Sequence, residues 1–371
     1  MNEQNVKLMA MYLPQYHEIP ENNEFWGKGF TDWVTVKNAK QFYSKIEQPR
    51  VPFNENYYDL SKIESIRWQV ELAKENGISG FCFYHYWFSS EKNILQTPSE
   101  LFLSDKSLDI SFCFAWDNAP WKRTWSKAFG NDWSPLYDNN RNGPSELIHF
   151  EYGEKKDWLK HFNYLLPFFE DKRYEKKDNK PIFILWNYRE TEKLIPMMNC
   201  WNDEAVKNGF SGIYFIGKYN KNIASTFDAE FYYQPLESGW ANRTFARKVK
   251  EKLFKIITSN KLPLVYNYKS IWKRIISSAT KEKRDNIFFG AFVNYDDSPR
   301  RGARGRCMRN VSPRIFKTYL KKLIQISALQ NKEYIFLTAW NEWGEGAYLE
   351  PDNNMKKDFL NSIKEIKDEL R

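Results

Sequence analysis

Two glutamates near the end of the chain have the spacing and the neighbours that glycosidic-bond chemistry needs. Glu342 and Glu345 lie three residues apart in the segment WNEWGEGAYLEP, residues 340–351, among tryptophans and glycines. Paired carboxylates move the protons when a glycosidic bond is made or broken. Aromatic rings pack against the apolar faces of sugars. We therefore interpret Glu342 and Glu345 as candidate catalytic residues acting on a glycan.

The spacing of the two acids requires a turn. On an extended strand, residues three apart point to opposite faces, but Gly344 and Gly346 permit a bend that would bring both carboxyl groups into one pocket. A separation of roughly 5–5.5 Å would suit retention of the anomeric configuration, and one of roughly 6.5–9.5 Å would suit inversion. The sequence leaves both outcomes open. For Glu350, which precedes Pro351, we favour a structural role.

Short apolar runs predict the elements that position these residues. Eight runs predict strands, at residues 6–12, 78–87, 110–116, 181–186, 212–217, 229–233, 287–294 and 334–340. Most are continuously apolar, as parallel strands covered by helices are. Helical periodicity marks residues 61–76, 157–170, 191–208, 312–330 and 354–370. A capping box formed by Ser61 and Glu64 is expected to open the first of these helices.

This alternation predicts an α/β fold, a single (β/α)8 TIM barrel covering residues 1–371 as one catalytic domain. A doubly wound sheet is the alternative, and residues 264–268 are a candidate additional strand.

Long loops follow strands 1 and 3, at residues 13–59 and 117–152, and long loops in compact domains are usually functional. Both are rich in aromatic residues, with Tyr16, Phe25, Trp26, Phe30 and Trp33 in the first and Trp121, Trp125 and Trp133, beside Arg123, in the second. We expect these loops to form a lid or a cleft wall.

The carboxyl ends of barrel strands hold the chemistry of such folds. Several predicted strands end on an aromatic residue followed by an acid or an amide. The predicted substrate-binding residues are Tyr12, Tyr84, His85, Trp116, Asp117, Asn118, Asn187, Tyr233, Asp296, Arg300, Arg301, Trp340, Asn341 and Trp343. The two arginines belong to an arginine-rich loop that is either an anion clamp or a solvated basic loop.

The composition and net charge of the chain favour some classes of binding partner over others. Aromatic residues make up 18% of the chain and the formal net charge is +9. The aromatics cluster with Asp, Asn and Glu rather than with Lys, so we predict a glycan partner and no nucleic acid. The basic, partly apolar region 243–284 suggests peripheral contact with an anionic membrane, with a charged outer barrel helix as the alternative.

Other features set expectations about location and cofactors. The four cysteines and four histidines lack the spacing of disulfide frames or metal sites, so we expect no metal and no cofactor. No apolar run approaches the length of a membrane span, and the first residues do not form an export signal. The expected location is cytoplasmic, including the periphery of the inner face of the membrane.

Six motifs, in order along the chain, carry a family resemblance. They are AMYLPQYH (10–17), FWGKGFTDW (25–33), GFCFYHYW (80–87), FAWDN (114–118), DDSPRRG (296–302) and AWNEWGEG (339–346). This set resembles the WbsX-type proteins of bacterial surface-polysaccharide biosynthesis, and with them the endo-α-mannosidases of glycoside hydrolase family 99. The resemblance covers nearly the whole chain.

The resemblance implies a barrel and roles for the two acids. Glu342 matches the base that assists attack by the sugar 2-hydroxyl, and Glu345 matches the acid that protonates the leaving oxygen. Retention through a 1,2-anhydro sugar, without a metal, is implied. Gly344 stands where the mannosidases have His, so mannose specificity is not implied.

The sequence thus predicts an enzyme acting on glycosidic bonds of a surface polysaccharide or a lipid-linked oligosaccharide, in O-antigen-type or capsule-type biosynthesis. Two alternatives stay open. One is a nucleotide-sugar-dependent glycosyltransferase that uses the arginine-rich loop, and the other is a glycan-binding protein without catalytic activity.

Overall fold

A closed parallel barrel organises the molecule, whose computed structural model describes residues 1–122, 146–187, 192–221 and 226–370. Its strands are β1 (Lys7–Tyr12), β2 (Gly80–Ser89), β3 (Ser111–Trp116), β4 (Lys180–Leu185), β5 (Tyr214–Lys218), β6 (Ala229–Phe231), β7 (Ile287–Phe292) and β8 (Tyr334–Thr338). Each pairs in parallel with its neighbours in chain order, and β8 returns to pair with β1. The predicted (β/α)8 barrel is confirmed, and the doubly wound sheet is excluded by this closure.

Helices surround the barrel, and most of them bury apolar side chains against it. They are α1 (Pro20–Trp26), α2 (Asp32–Lys37), α3 (Ile63–Glu75), α4 (Thr97–Ser104), α5 (Lys155–Glu170), α6 (Leu194–Lys207), α7 (Phe245–Ile257), α8 (Tyr268–Lys281), α9 (Ser298–Arg301), α10 (Pro313–Leu329) and α11 (Asp358–Glu369). The five predicted helices correspond to α3, α5, α6, α10 and α11. No helix within the described ranges is both long and apolar enough to span a membrane.

The expected capping box at the start of α3 is wrong. The helix begins at Ile63, after the cap residue Lys62, and has no side-chain cap. Ser61 instead donates its hydroxyl to Asp59 at 2.7 Å, which forms a local turn before the helix. Serine is common both at helix caps and in turns, because its short side chain forms hydrogen bonds with nearby groups. The motif therefore did not distinguish a cap from a turn.

The candidate extra strand exists but lies outside the barrel. Leu264–Asn267 pairs in parallel with Arg306–Arg309 to form a separate two-stranded sheet. Arg306–Arg309 follows α9, so this small sheet braces the loop after β7.

The two long loops differ in their internal structure. The first contains α1 and α2, and its Tyr16 and Trp33 are buried against each other with ring centroids 4.5 Å apart. In the second, Trp121–Lys122 pairs with Glu146–Ile148, and the ring of Trp121 packs against Tyr86. Arg123, Trp125 and Trp133 lie outside the described residues. The first loop therefore forms a packed wall over the end of the barrel that carries the predicted acids.

Candidate active site

A tight hairpin after β8 carries the two glutamates. Asn341–Glu342 pairs antiparallel with Ala347–Tyr348, and Trp343–Glu345 forms a single helical turn between them. Gly346 ends this turn at φ +57°, in the left-handed region that favours glycine. The hairpin overrides strand alternation, so Glu342 and Glu345 both turn towards the same arginine.

Arg300 is the centre of the site. One terminal nitrogen of its guanidinium donates to Glu345 Oε1 at 2.9 Å. The other lies 3.2 Å from both Glu342 Oε2 and Asp32 Oδ2. Arg300, Glu342 and Asp32 are buried, whereas the side chain of Glu345 is 21% exposed. A single cation therefore holds three carboxylates, two from the turn after β8 and one, Asp32, from a distant part of the chain.

Burial and charge together set the protonation of this cluster. Burial raises the pKa of Glu342 to about 8, with Glu345 and Asp32 adding to the shift and Arg300 opposing it. Burial alone would lower the pKa of Arg300, but Asp32, Glu342 and Glu345 raise it well above its ordinary value. At neutral pH the site therefore combines a permanently charged guanidinium with a Glu342 carboxyl group that holds its proton more tightly than an ordinary glutamate.

Gly344 is required by space rather than by backbone conformation. A Cβ at this position would lie 2.6 Å from Arg300 Nε and 2.7 Å from Asp32 Oδ2. The Gly344 N–H donates to Asp32 Oδ2 at 3.1 Å. Glycine is thus the residue that lets Arg300 and Asp32 close against the acid-bearing turn, at the position where the resemblance expects His.

Tyrosines line the space above the acids. Burial raises the pKa values of Tyr84 and Tyr233, and both hydroxyls also feel the charges of Glu342 and Glu345. Trp186, which follows β4, touches both rings, with centroid distances of 5.0 Å to Tyr84 and 4.7 Å to Tyr233. These three rings form the aromatic side of the pocket.

A second polar group lies across the mouth. Asn187 donates to Asp117, and the Lys218 ammonium lies 4.5 Å from the ring centre of Trp186. Burial raises the pKa of Asp117 to about 6, although Lys218 and Asn187 oppose the shift. Burial lowers the pKa of Lys218 to about 8, against the attraction of Asp117. Trp186, Asn187 and Lys218 line a cavity of about 340 Å³ that is open to solvent.

Two predicted binding residues, Tyr12 and His85, do not lie at the mouth. The Tyr12 hydroxyl donates to Gln69 of α3 at 2.5 Å. His85 Nε2 lies 2.8 Å from His161 Nε2 of α5, and burial lowers the pKa of His85 to about 3. Both side chains point outwards to the helical layer, so the expectation that they contact substrate is corrected. In β2, the neighbouring Tyr84 points the other way.

Trp116 and Trp340 are also turned away from the pocket. Trp116 stacks on Trp201 of α6 with ring centroids 6.2 Å apart, and its indole N–H donates to the Trp87 carbonyl. Trp340 is fully buried and packs against Phe81 with a centroid distance of 5.2 Å. Both tryptophans belong to the core between barrel and helices, which corrects their predicted role in binding.

Asn341 and Trp343 position the hairpin instead of facing substrate. The Asn341 amide exchanges two hydrogen bonds with the backbone of Leu13, at 2.7 and 3.0 Å. Trp343 stacks on Tyr348 at 3.7 Å and donates to Glu350 at 2.6 Å. These contacts fix the turn against the first loop and the second hairpin strand.

Glu350 has the structural role that the sequence predicts for it. Its carboxylate accepts hydrogen bonds from Tyr58, Gln69 and Trp343 at 2.6–2.8 Å. Burial raises its pKa to about 7, against these hydrogen bonds.

Three further predicted residues brace the loops around the mouth. Asn118 donates to the Asn187 carbonyl and accepts from its N–H, both at 2.7 Å. Asp296 is buried and accepts from Gln48 at 2.9 Å. Arg301 pairs with Asp297 at 3.2 Å, and its side chain is 56% exposed. The structure thus brings together Tyr84, Asp117, Asn187, Tyr233, Arg300, Glu342 and Glu345, with Arg301 at the rim.

Sequence reasoning missed Asp32, Tyr86 and Lys218. Asp32 lies in the FWGKGFTDW motif, which is one of the six motifs that carry the family resemblance. That motif could therefore have pointed to Asp32 as a site residue. Tyr86 has the same strand parity as Tyr84, and the charges of Asp117 and Glu342 add to the burial that raises the pKa of its hydroxyl. Lys218 is the last residue of β5. Within the described ranges, no group of three or more His, Cys, Asp and Glu side chains is arranged to hold a metal ion.

A closed barrel with paired carboxylates after its last strand is the arrangement of a carbohydrate-active enzyme. The family model described as Glycosyltransferase WbsX matches residues 8–363. The chain belongs to this family, which confirms the resemblance drawn from its motifs.

The chain is also similar to curated relatives and, in its fold, to solved structures. The protein described as uncharacterized protein WxcX from Xanthomonas campestris pv. campestris strain B100 is 27% identical over 365 residues, which is 96% of this chain and 49% of the relative. The chain therefore spans about half the length of the curated relatives it matches. The GH99 endo-alpha-mannosidase from Bacteroides thetaiotaomicron matches with a TM-score of 0.59 at 13% identity, over 100% of this chain and 98% of that one. A structure titled glycoside hydrolase-like protein gives a TM-score of 0.58 at 13% identity, over 99% and 94%. At these identities the structures show a shared fold.

Proposed function

We propose that this protein cleaves or transfers glycosidic bonds of a bacterial surface polysaccharide or of a lipid-linked oligosaccharide, with Glu342 as base and Glu345 as acid. The main support for this proposal is that Arg300 donates hydrogen bonds to both carboxylates and holds them together at the mouth of the barrel. Titratable groups whose pKa values are shifted by burial and by a charged partner cluster in the clefts of functional sites.

The environment of Glu342 suits a base that removes a hydroxyl proton. Its raised pKa of about 8 makes its carboxylate a stronger proton acceptor than an ordinary glutamate. In the proposed first step, the sugar 2-oxygen bonds to the anomeric carbon and its proton passes to Glu342. The bond to the leaving oxygen breaks, and that oxygen takes a proton from Glu345.

The environment of Glu345 suits an acid that is recharged from solvent. Its side chain is the most exposed member of the cluster, at 21%. In the proposed second step, water or an acceptor hydroxyl attacks the anomeric carbon of the 1,2-anhydro sugar and gives its proton to Glu345. The 2-oxygen regains its proton from Glu342, so both acids return to their starting states and the configuration is retained.

The same pocket supports hydrolysis and transfer, because the difference lies in which hydroxyl resolves the intermediate. The rings of Tyr84, Trp186 and Tyr233 offer apolar faces to a sugar, and the Asp117–Lys218 group offers charged hydrogen-bond partners. We assign the cavity beside Trp186 and Lys218 to the glycan.

Glu345→Gln tests the acid role with two leaving groups. We expect the variant to lose at least ~10²-fold in rate on a glycan with a poor leaving group, as for removal of a general acid. On an aryl glycoside whose leaving group needs no proton, the first step should keep most of its rate, which is measured as the initial burst of released aryl alcohol. Glu91→Gln is the matched control, since Glu91 is 83% exposed and lies away from the site. Equal turnover by wild type and Glu345→Gln on the poor leaving group would exclude the role.

The family description favours a second candidate function, a nucleotide-sugar-dependent glycosyltransferase. A diphosphate would need cations, and Arg300 is already shared among three carboxylates while Arg301 pairs with Asp297. Isothermal titration with a nucleoside diphosphate tests this candidate. Binding that disappears in Arg301→Gln would support it over the glycosidase-like mechanism.

A further inference from the structure

Helix α7 presents its apolar side to solvent. Five large apolar side chains project from one face, and they are Phe245, Val249, Leu253, Ile256 and Ile257. Phe245 is 81% exposed and Ile257 is 80% exposed. At helical spacing, the five cover about a third of the helix circumference as one stripe.

The polar side of α7 faces the protein. Glu251 is its buried residue and accepts hydrogen bonds from Arg243, Arg247 and Tyr266. Lys255 reaches the carbonyl oxygens of two loop residues. A surface helix of a soluble barrel normally buries its apolar stripe and exposes its charges. Helix α7 is docked the opposite way round.

Lysines border the exposed apolar stripe. Lys248, Lys250 and Lys252 are exposed on the same helix and flank the stripe at helical spacing. Their long side chains can reach lipid headgroups while the apolar residues between them enter the acyl boundary. The formal net charge of +9 adds a general attraction to an anionic surface.

We propose that α7 is an interfacial helix that docks the protein on an anionic lipid bilayer, with the stripe from Phe245 to Ile257 inserted and the flanking lysines on the headgroups. Charge complementarity favours this occupant over a protein partner, because the rim of the stripe is basic.

The placement of α7 also relates the membrane to the pocket. Phe254, on the same helix, lines a cavity of about 810 Å³ that Gly346, next to Glu345, also lines. A glycan held at the bilayer would thus approach the acid-bearing turn from the side of α7. This orientation rests on the proposed function, whereas the docking itself does not.

Vesicle co-sedimentation tests the docking without any glycan. The probes are phosphatidylcholine vesicles with and without phosphatidylglycerol, with the whole chain at low and high salt. We expect wild type to sediment with the anionic vesicles, at least about tenfold less with the neutral ones, and less at high salt.

Matched variants separate the stripe from general surface hydrophobicity. The triple variant Phe245→Ser, Ile256→Ser, Ile257→Ser should lose at least about tenfold in vesicle affinity. The control carries Val206→Ser and Leu329→Ser, which are 60% and 84% exposed on other helices, and it should bind like wild type. Since all five positions are exposed, circular dichroism should show both variants folded.

Three results would overturn the proposal. They are wild type that stays in the supernatant with anionic vesicles, a triple variant that binds as wild type does, and a self-associated wild type that the triple variant makes monomeric in sedimentation velocity. The last would assign the stripe to a second copy of the chain. If docking fails while glycan turnover persists, only the membrane proposal falls.

Discussion

Replacing Gly344 by Ala tests whether space for Arg300 is what this position supplies. The φ of Gly344 does not lie in the left-handed region, so alanine suits the backbone and the substitution changes only the space. The new Cβ would lie 2.6 Å from Arg300 Nε, where ordinary contacts begin at about 3.5 Å. Either Arg300 or the hairpin must therefore move by about 0.9 Å.

That movement is large compared with the hydrogen bonds it disturbs. Arg300 holds Glu345 at 2.9 Å and Glu342 at 3.2 Å, so a shift of this size breaks at least one of them. A hydrogen bond to a charged group contributes about 1.5–3 kcal/mol, and overpacking costs about 1–3 kcal/mol. We expect Gly344→Ala to lower the free energy of unfolding by about 2–4 kcal/mol and turnover by at least ~10-fold.

Urea unfolding followed by tryptophan fluorescence measures the stability change, and initial rates on a glycan measure the activity. Gly239→Ala is the matched control, because its new Cβ would meet its nearest neighbours at ordinary distances of 3.7 and 3.9 Å. If Gly344→Ala unfolds within about 0.5 kcal/mol of wild type and keeps full turnover, the packing argument is refuted.

Three further predictions follow from buried titratable groups. Because a base must be ionised and the pKa of Glu342 is about 8, the rate should rise with pH up to about 8, and a pH–rate profile that stays flat well below that value would contradict the role of Glu342. The pKa of Glu350 is raised from 4.5 to about 7, so the folded state binds the extra proton in that window and wild type should lose stability as pH rises through it; urea unfolding of Glu350→Gln should show a smaller loss over the same range. His85→Phe leaves the buried His161 nitrogen unpaired, so we expect about 1–3 kcal/mol less stability with an unchanged KM, whereas Tyr84→Phe should raise KM.

The barrel could be predicted because its strands are buried on both faces. A continuous apolar run such as residues 287–294 has few other uses in a folded chain, and β7 (Ile287–Phe292) lies within it. The same property hides the orientation of each side chain. Since both faces of a barrel strand are apolar, nothing in GFCFYHYW shows that Tyr84 faces the pocket and His85 faces α5.

At the turn that carries the two acids, too, the sequence located the site but did not assign the orientation of each side chain. Gly344 and Gly346 indicated a bend that could bring Glu342 and Glu345 into one pocket, and the hairpin turns both acids towards Arg300. Trp340 and Trp343 lay in the same motif, but their burial depends on partners that are far away in sequence. Local pattern therefore indicated a site without separating the residues that face it from those that support it.

The pairing of residues that are distant in sequence could not be predicted from local patterns. Asp32 begins α2 and Arg300 lies in α9, 268 residues further along the chain, and both helices are too short to show a hydrophobic period. Only the folded chain brings them together, on either side of Gly344. Helix α7 shows the complementary case, since its apolar and basic residues were visible in sequence while the choice of face was decided by the contacts of Glu251.

Proton NMR can show whether Glu342 and Glu345 perform glycosidic-bond chemistry. Purified protein is incubated with the repeat unit of the surface polysaccharide, and wild type is compared with Glu345→Gln. We expect new anomeric signals in the wild type alone, with the first product anomer matching that of the substrate. Product that forms only when a nucleotide sugar is added, or an inverted first anomer, would contradict it.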